Sequence, residues 1–274
     1  MAKNNNSLLR KIVHWIISLS PNIRKWVLKN WYELFNHYLY KQNYPFLNYG
    51  YCDNNPPIEL SVNDEEFRYS IQLYNQLLSK IDLREKHILE IGSGRGGGAN
   101  FINQYFDHAG YTGIDISKKA ITISNKLYKS DNVNFIWGDA EDLQFENCQF
   151  EVILNVESSH CYSSMDQFLS EVHRVLLPSG YFLFCDLREE HQVENFLNSL
   201  EKSNFELVEM KDISKHIISG LEKMSDDRIS FINQNIPRVF RKSIESYSGV
   251  HEGDIFNSFL NGTRKYYSGV LSKA

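Results

Sequence analysis

The stretch HILEIGSGRGGG at residues 87–98 constrains this chain more than any other, because an apolar run leads directly into clustered glycines and then into helix-forming sequence. A strand that turns sharply into a helix needs residues that accept positive φ. A turn that brings backbone N–H groups against a ligand has no room for side chains. Gly92, Ser93, Gly94 and Gly96 are therefore expected to form the ligand-facing turn of a strand–turn–helix unit whose helix begins near Gly98. Gly92, Gly94 and Gly97 also satisfy G-x-G-x-x-G, so the turn alone leaves two nucleotide-containing cofactor classes open.

From Lys86 the chain alternates short apolar runs, HILEI, YTGIDI, NVNFIWG, FEVILNV and GYFLFCDL, with helical stretches, which predicts a parallel sheet. Ser164 followed by Gln167 forms a capping-box pattern ahead of Phe168, Val172, Val175 and Leu176, and Pro178 with Gly180 is expected to end that helix. FELVEMKDIS predicts a sixth strand and TRKYYSGVLS a seventh, with an amphipathic helical insertion between them. Upstream, residues 22–85 read as helical and aromatic, broken at NYGYCDNNPPIEL where Asn54, Asn55, Pro56 and Pro57 oppose regular structure. The expected organisation is a helical and cap segment at 1–85, a Rossmann-like α/β core at 86–213, a helical lid at 214–262 and the last strand of a seven-stranded, mostly parallel sheet at 263–274.

Composition narrows the partners. The 274 residues are 42% apolar and 14% aromatic, with 16 Tyr and 17 Phe, enough for one large core and an aromatic-lined pocket. A net charge of −5 without a central basic cluster argues against nucleic acid and for a small-molecule partner. Cys52, Cys148, Cys161 and Cys185 form no CxxC pair and have no His at zinc-finger spacing, which points to reduced thiols in a cytoplasmic protein with no metal. No run of about 18 apolar residues is present. SLLRKIVHWIISL resembles a secretory signal superficially, but His14 interrupts it and no small-residue cleavage site follows. Leu9, Ile12, Val13, Ile16 and Leu19 share one helical face, giving a docking helix, with peripheral membrane contact through residues 8–19 as the alternative.

Three strand-end acids decide between cofactors. A nicotinamide dinucleotide brings a pyrophosphate to the glycine turn, whereas S-adenosylmethionine brings a sulfonium and an ammonium, and Glu90 inside the first strand suits the cations. Asp115, followed by Ile116, ends the second strand about 20 residues after the glycines, where a carboxylate can accept ribose hydroxyls. Gly138-Asp139-Ala140-Glu141 ends the third strand and Asn155 the fourth. Any one of these fits a solvated turn equally well. In this order they resemble the class I S-adenosylmethionine-dependent methyltransferases. The resemblance implies Glu90 supporting the turn and the methionine ammonium, Asp115 at the ribose, Asp139 with the Ala140 backbone at the adenine, and Ile116 and Glu141 among the cofactor-binding residues. Asn155 would meet the methionine end through its backbone.

The segment EVILNVESSHCYSSMDQFLSEVHRVLLPSGYFLFCDLR resembles one branch, the phthiotriolone/phenolphthiotriolone dimycocerosate methyltransferases of mycobacterial lipid synthesis. The pattern Asn155-Val156-Glu157-Ser158-Ser159-His160-Cys161-Tyr162 carries the likeness, with an aromatic segment running into an acidic, double-proline turn over Asn48–Leu60 and a similar C-terminal stretch from Val250 to Lys273. It extends over nearly the whole chain after about residue 25. Arg95 and the 214–262 stretch depart from it, so what it implies is the reaction, methylation of an oxygen on a hydrophobic polyketide- or lipid-like acceptor, more than the acceptor's shape.

Methyl transfer is an in-line displacement governed by positioning, and a hydroxyl nucleophile must also lose a proton. His160 is the candidate base, because imidazole titrates near operating pH, and Glu157 is the candidate to orient it. The plainer alternative has His160 capping a loop and Glu157 facing water. Tyr49, Tyr51 and Tyr162 are candidates for acceptor contact, as are Asp186 and Arg188 unless these two form a structural salt bridge. The nearest alternative is a sterol-type lipid C-methyltransferase; Glu90 and the Gly138–Glu141 signal disfavour a nicotinamide oxidoreductase, and the intact glycines and strand-end acids disfavour a non-catalytic module on the same fold.

Overall fold

A computed structural model describes residues 44–274, so the helix expected over residues 8–19 lies outside the described residues. The strands are β1 (His87–Ile91), β2 (Gly110–Asp115), β3 (Val133–Trp137), β4 (Phe150–Val156), β5 (Leu176–Glu189), β6 (Phe205–Asp212) and β7 (Arg264–Lys273). The helices are α1 (Arg68–Leu78), α2 (Gly97–Tyr105), α3 (Lys118–Tyr128), α4 (Met165–Val175), α5 (Glu190–Lys202), α6 (Ser214–Asn235), α7 (Arg238–Tyr247) and α8 (Asp254–Leu260). Together the strands make a seven-stranded sheet in the order β3-β2-β1-β4-β5-β7-β6, parallel except for β7, which runs antiparallel to both its neighbours.

The order reverses between β1 and β4, and a crevice at the carboxyl ends of those two strands is where open α/β sheets bind ligands. Period-two alternation assigns each face its own core. Ile88 packs with Leu73, Leu77, Val152 and Leu154 on one side, while Leu89 and Ile91 pack with Phe168, Val172 and Phe182 on the other. After the exposed His87 the strand β1 is buried on both faces, its apolar run broken only by the buried Glu90.

Ser164 caps α4 as expected, its Oγ accepting the Gln167 N–H at 3.1 Å. The helix ends at Val175, before Pro178 and Gly180, because Leu176 is already extended and enters β5. A register shift between Phe150 and Val152 absorbs the Pro178–Gly180 bend.

Between β6 and β7 the chain is helical, as the sequence predicts, and its helices are tied to the segment before α1. Gly220 of α6 lies so close to that segment that a Cβ there would stand 2.8 Å from the Tyr51 nitrogen. Cys52 N–H donates to His216 O at 3.0 Å, and the buried Arg228 donates to Asn48 O at 2.7 Å. Among the described residues no helix is long and apolar enough to cross a membrane.

Candidate active site

The glycine turn joins β1 to α2 at the reversal point. Gly92 and Ser93 both donate their N–H to Ile114 O, at 2.8 and 2.9 Å, fastening the turn to β2. Gly94 has φ +54°, and a Cβ built on it would meet no atom within 4 Å, so this residue faces open space. Gly98 is needed for a different reason: a Cβ there would strike the ring of Tyr74, which packs over the start of α2. The glycine run therefore serves both a ligand-facing turn and the docking of α1.

That docking reaches Glu90. Its side chain is fully buried, with Oε1 accepting from Tyr74 Oη at 2.7 Å and Oε2 from Tyr111 Oη. Burial pushes the Glu90 carboxyl up to about 7, against the two hydroxyls that favour its charged form. Neither tyrosine stood out in the sequence, because α1 and β2 meet β1 only in three dimensions.

At the carboxyl end of β2, Asp115 Oδ2 accepts the Gly94 N–H at 2.9 Å and Oδ1 accepts the Ser117 N–H at 2.8 Å. Between those anchors, Ile116 O accepts the indole N–H of Trp137 at 3.0 Å. Asp139 Oδ1 accepts the Glu141 N–H at 3.1 Å, and Glu141 Oε1 accepts the Ser164 N–H at 2.5 Å. Ala140 lies buried between these two acids.

The fourth strand ends in a dense polar knot. The Asn155 side-chain amide donates to Ile91 O at 2.9 Å and to Tyr162 Oη at 3.0 Å, binding β4 to the glycine turn. The Tyr162 hydroxyl also bonds Ser158 Oγ, and its ring packs edge-on against Phe168 at 4.8 Å. The half-buried Tyr162 thus has its hydroxyl anchored to the framework at the end of β4.

Glu157 follows with φ +47°, a left-handed backbone rare outside glycine. Its Oε1 accepts the Tyr49 N–H at 2.7 Å and the Tyr266 hydroxyl at 2.8 Å, and burial pushes its carboxyl up to about 7. Glu157 therefore holds the segment before α1 by hydrogen bonds, and it interacts with His160 through charge. Tyr51 also departs from its expected place: its hydroxyl donates to Asp53 and its ring packs on His216 at 5.1 Å.

His160 is partnered by Asp186 instead. Its Nδ1 lies 2.7 Å from Asp186 Oδ1, and its backbone N–H donates to Asp186 Oδ2 at 2.8 Å. Burial would lower the imidazole pKa, but Cys161 and the Asp186 carboxylate push it up to about 10. For Asp186, burial is outweighed by His160 and Arg188, which hold its carboxyl well below the usual carboxylate range. Arg188 sits 3.1 Å from Asp186 and donates to Ser159 Oγ at 2.6 Å. With 1% and 6% side-chain exposure, Asp186 and Arg188 lie behind His160, which corrects their expected part in acceptor contact in favour of the salt bridge.

A family model for the methyltransferase domain matches residues 89–184. The fatty-acid O-methyltransferase of Mycolicibacterium smegmatis is 39% identical over 204 residues, which cover 74% of each chain. The chain belongs to the S-adenosylmethionine-dependent methyltransferases. The phthiotriol/phenolphthiotriol dimycocerosates methyltransferase 1 of Mycobacterium ulcerans is 35% identical over 81% of this methyltransferase and 82% of its own length. Among solved structures, the [4+2]-cyclase SpnF superposes with a TM-score of 0.65 at 18% identity, covering 90% of this chain and 94% of its own. Geranyl diphosphate C-methyltransferase from Streptomyces coelicolor gives 0.65 at 14%, covering 92% and 98%. At these identities the superpositions establish the fold.

The cofactor of this methyltransferase is S-adenosylmethionine, and the residues at the reversal point suit it. Gly94 opens onto free space, and among the described residues Ser93 Oγ and Asn155 Oδ1 are buried polar atoms with no hydrogen-bond partner. A buried polar atom left so is costly unless a ligand or water satisfies it.

Proposed function

We propose that this methyltransferase transfers the methyl group to an oxygen of a hydrophobic, lipid- or polyketide-like acceptor, with His160 facing that oxygen. The relatives named for fatty-acid and phthiotriol methylation support the acceptor class. The observation that carries the role of His160 is its 2.7 Å bond to the buried Asp186, at the carboxyl edge where β4 meets β5. S-Adenosylmethionine supplies an electrophilic methyl on a sulfonium that leaves as a neutral thioether. Gly92, Ser93 and Gly94 would hold its methionine end with Asn155, Asp115 and Ile116 would take the ribose, and Asp139, Ala140 and Glu141 would border the adenine. Gly96 packs against Tyr128 and Phe135, and Glu90, bonded to Tyr74 and Tyr111, would support the turn through β1. The helices within 214–262, clamped to Tyr49 and its neighbours, act as the lid.

For a hydroxyl acceptor the proton leaves as the oxygen attacks. Because Asp186 engages Nδ1, that proton passes to Nε2, and Asp186 stabilises the resulting imidazolium. A second reading has its own support in the upward shift of His160 to about 10, which keeps the ring protonated at neutral pH. An imidazolium suits a carboxylate acceptor, which has no proton to lose and is held by the charge.

The full chain, given labelled methyl donor and a long-chain alcohol or acid of equal length, separates these readings by product mass. A methyl ether supports the first and a methyl ester the second; methyl attached to carbon overturns both. With a hydroxyl acceptor kcat rises as pH climbs through about 10, whereas with a carboxylate it falls. A His160→Ala protein that retains about a tenth or more of the wild-type rate removes His160 from the chemistry.

A further inference from the structure

Trp137 ends β3 directly opposite Asp115, which ends β2. A tryptophan at the tip of a sheet would ordinarily bury its ring, yet this one is 50% exposed. Its polar atom is nonetheless committed, since Nε1–H donates to Ile116 O at 3.0 Å. The flanking residues are committed as well: Asp115 is held by the Gly94 and Ser117 N–H groups, and Ser117 begins α3 as its N-cap, accepting from Ala120 N. Residue 116 is the one position in this bridge whose peptide is fixed from the side, across the strand gap, by an aromatic ring. Lys118 stands over that ring at 5.0 Å, a second contact that holds the indole in place.

We propose that Trp137 is a positioning residue for the nucleoside end of the cofactor. Its N–H sets the Ile116 peptide, so that Asp115 and the Ile116 side chain present a fixed edge to ribose and adenine, and the exposed indole face forms the outer wall of that pocket. The proposal rests on the placement of the nucleoside beside Asp115 given above. The indole acts through Ile116, so its effect falls on cofactor binding and leaves the acceptor chemistry alone.

The test is titration of the full chain with S-adenosylhomocysteine, comparing wild type, W137F and D115N. W137F keeps an aromatic wall but loses the N–H. Its Kd is expected to rise about fivefold, the worth of one ordinary hydrogen bond, with KM for the methyl donor rising in step and kcat unchanged. Binding by W137F within about twofold of wild type overturns the proposal. If D115N loses affinity while W137F does not, the cofactor placement stands and Trp137 alone is excluded; unchanged affinity in both overturns placement and proposal together. A chain that keeps Trp137 as its one tryptophan, with Trp15, Trp26 and Trp31 changed to Phe, decides independently of W137F folding. S-Adenosylhomocysteine should shift or quench its emission, and an unchanged spectrum at saturating ligand overturns the role.

Discussion

Both oxygens of the Asp186 carboxylate meet His160: Oδ1 lies 2.7 Å from the imidazole Nδ1 and Oδ2 accepts the backbone N–H of the same residue at 2.8 Å, while Leu187 N–H and Ser159 Oγ donate to the same two oxygens. One buried acid thus fixes the position of the His160 main chain and the orientation of its ring. The ring has a second side-chain hydrogen-bond partner in Cys161.

Asp186→Asn keeps the shape and removes the charge. A decrease in kcat of about 100-fold is expected, at the lower end for a positioned acid–base group, with Kd for S-adenosylhomocysteine within about twofold of wild type. Calorimetric titration beside single-turnover rates checks this. An equal loss of cofactor affinity would show that Asp186 serves the whole site and not His160.

The same pair sets a pH window for stability. Asp186 has a depressed folded pKa, so its contribution is present above the unfolded value of about 3.9 and is lost as pH falls through the folded one. His160 has a raised folded pKa, so its contribution is complete below about 6.5 and is lost as pH rises through about 10. Thermal melts across pH should show the wild-type advantage over Asp186→Asn at its greatest between about 4 and 6.5, declining on both sides.

Glu90 works in the same sense as His160 but over a more acidic range. Its folded carboxyl titrates near 7 while the unfolded one titrates near about 4.3, so the native state keeps a proton that the unfolded chain releases. Stability therefore falls as pH rises from about 4.3 to 7, and Glu90→Gln should flatten that part of the melting profile. Glu157, also raised to about 7, keeps part of the slope in the variant. An unchanged slope would show that Glu90 is ionised throughout.

Two glycines of one run should fail differently. Gly94→Ala places its methyl in open space at φ +54°, so it costs about 1 kcal/mol of backbone strain while cofactor affinity drops sharply. Gly98→Ala drives a methyl into the Tyr74 ring and displaces the hydroxyl that holds Glu90, so it should lose about 1–3 kcal/mol of stability by overpacking. Denaturant unfolding and S-adenosylhomocysteine titration of both variants check the contrast.

The lid and cap expectations illustrate how far the chain could be read in advance. Helices between the sixth and seventh strands were legible from amphipathic spacing, and Ser164 was legible as a cap from its distance to Gln167. The end of α4 was not, because the β4 register pulls Leu176 into the sheet before Pro178 can act. Similarly, the sequence places Glu157 beside His160 after β4, but the hydrogen bonds of its side chain to Tyr49 and Tyr266 join elements far apart in the chain.

What the sequence determined by itself is what depends on neighbours along the chain. A strand must break at Gly92, acids must stand at the ends of β2 and β3, and a helix must start after Ser164, because dihedral preferences and capping act over a few residues. Only the tertiary structure decided which side chains meet. His160 finds Asp186 because β4 pairs with β5 so that Val156 lies against Cys185, and Glu90 finds Tyr74 because Gly98 lets α1 settle onto α2. Those partners are set by strand register and helix packing, which bring distant residues together and leave no mark in local spacing.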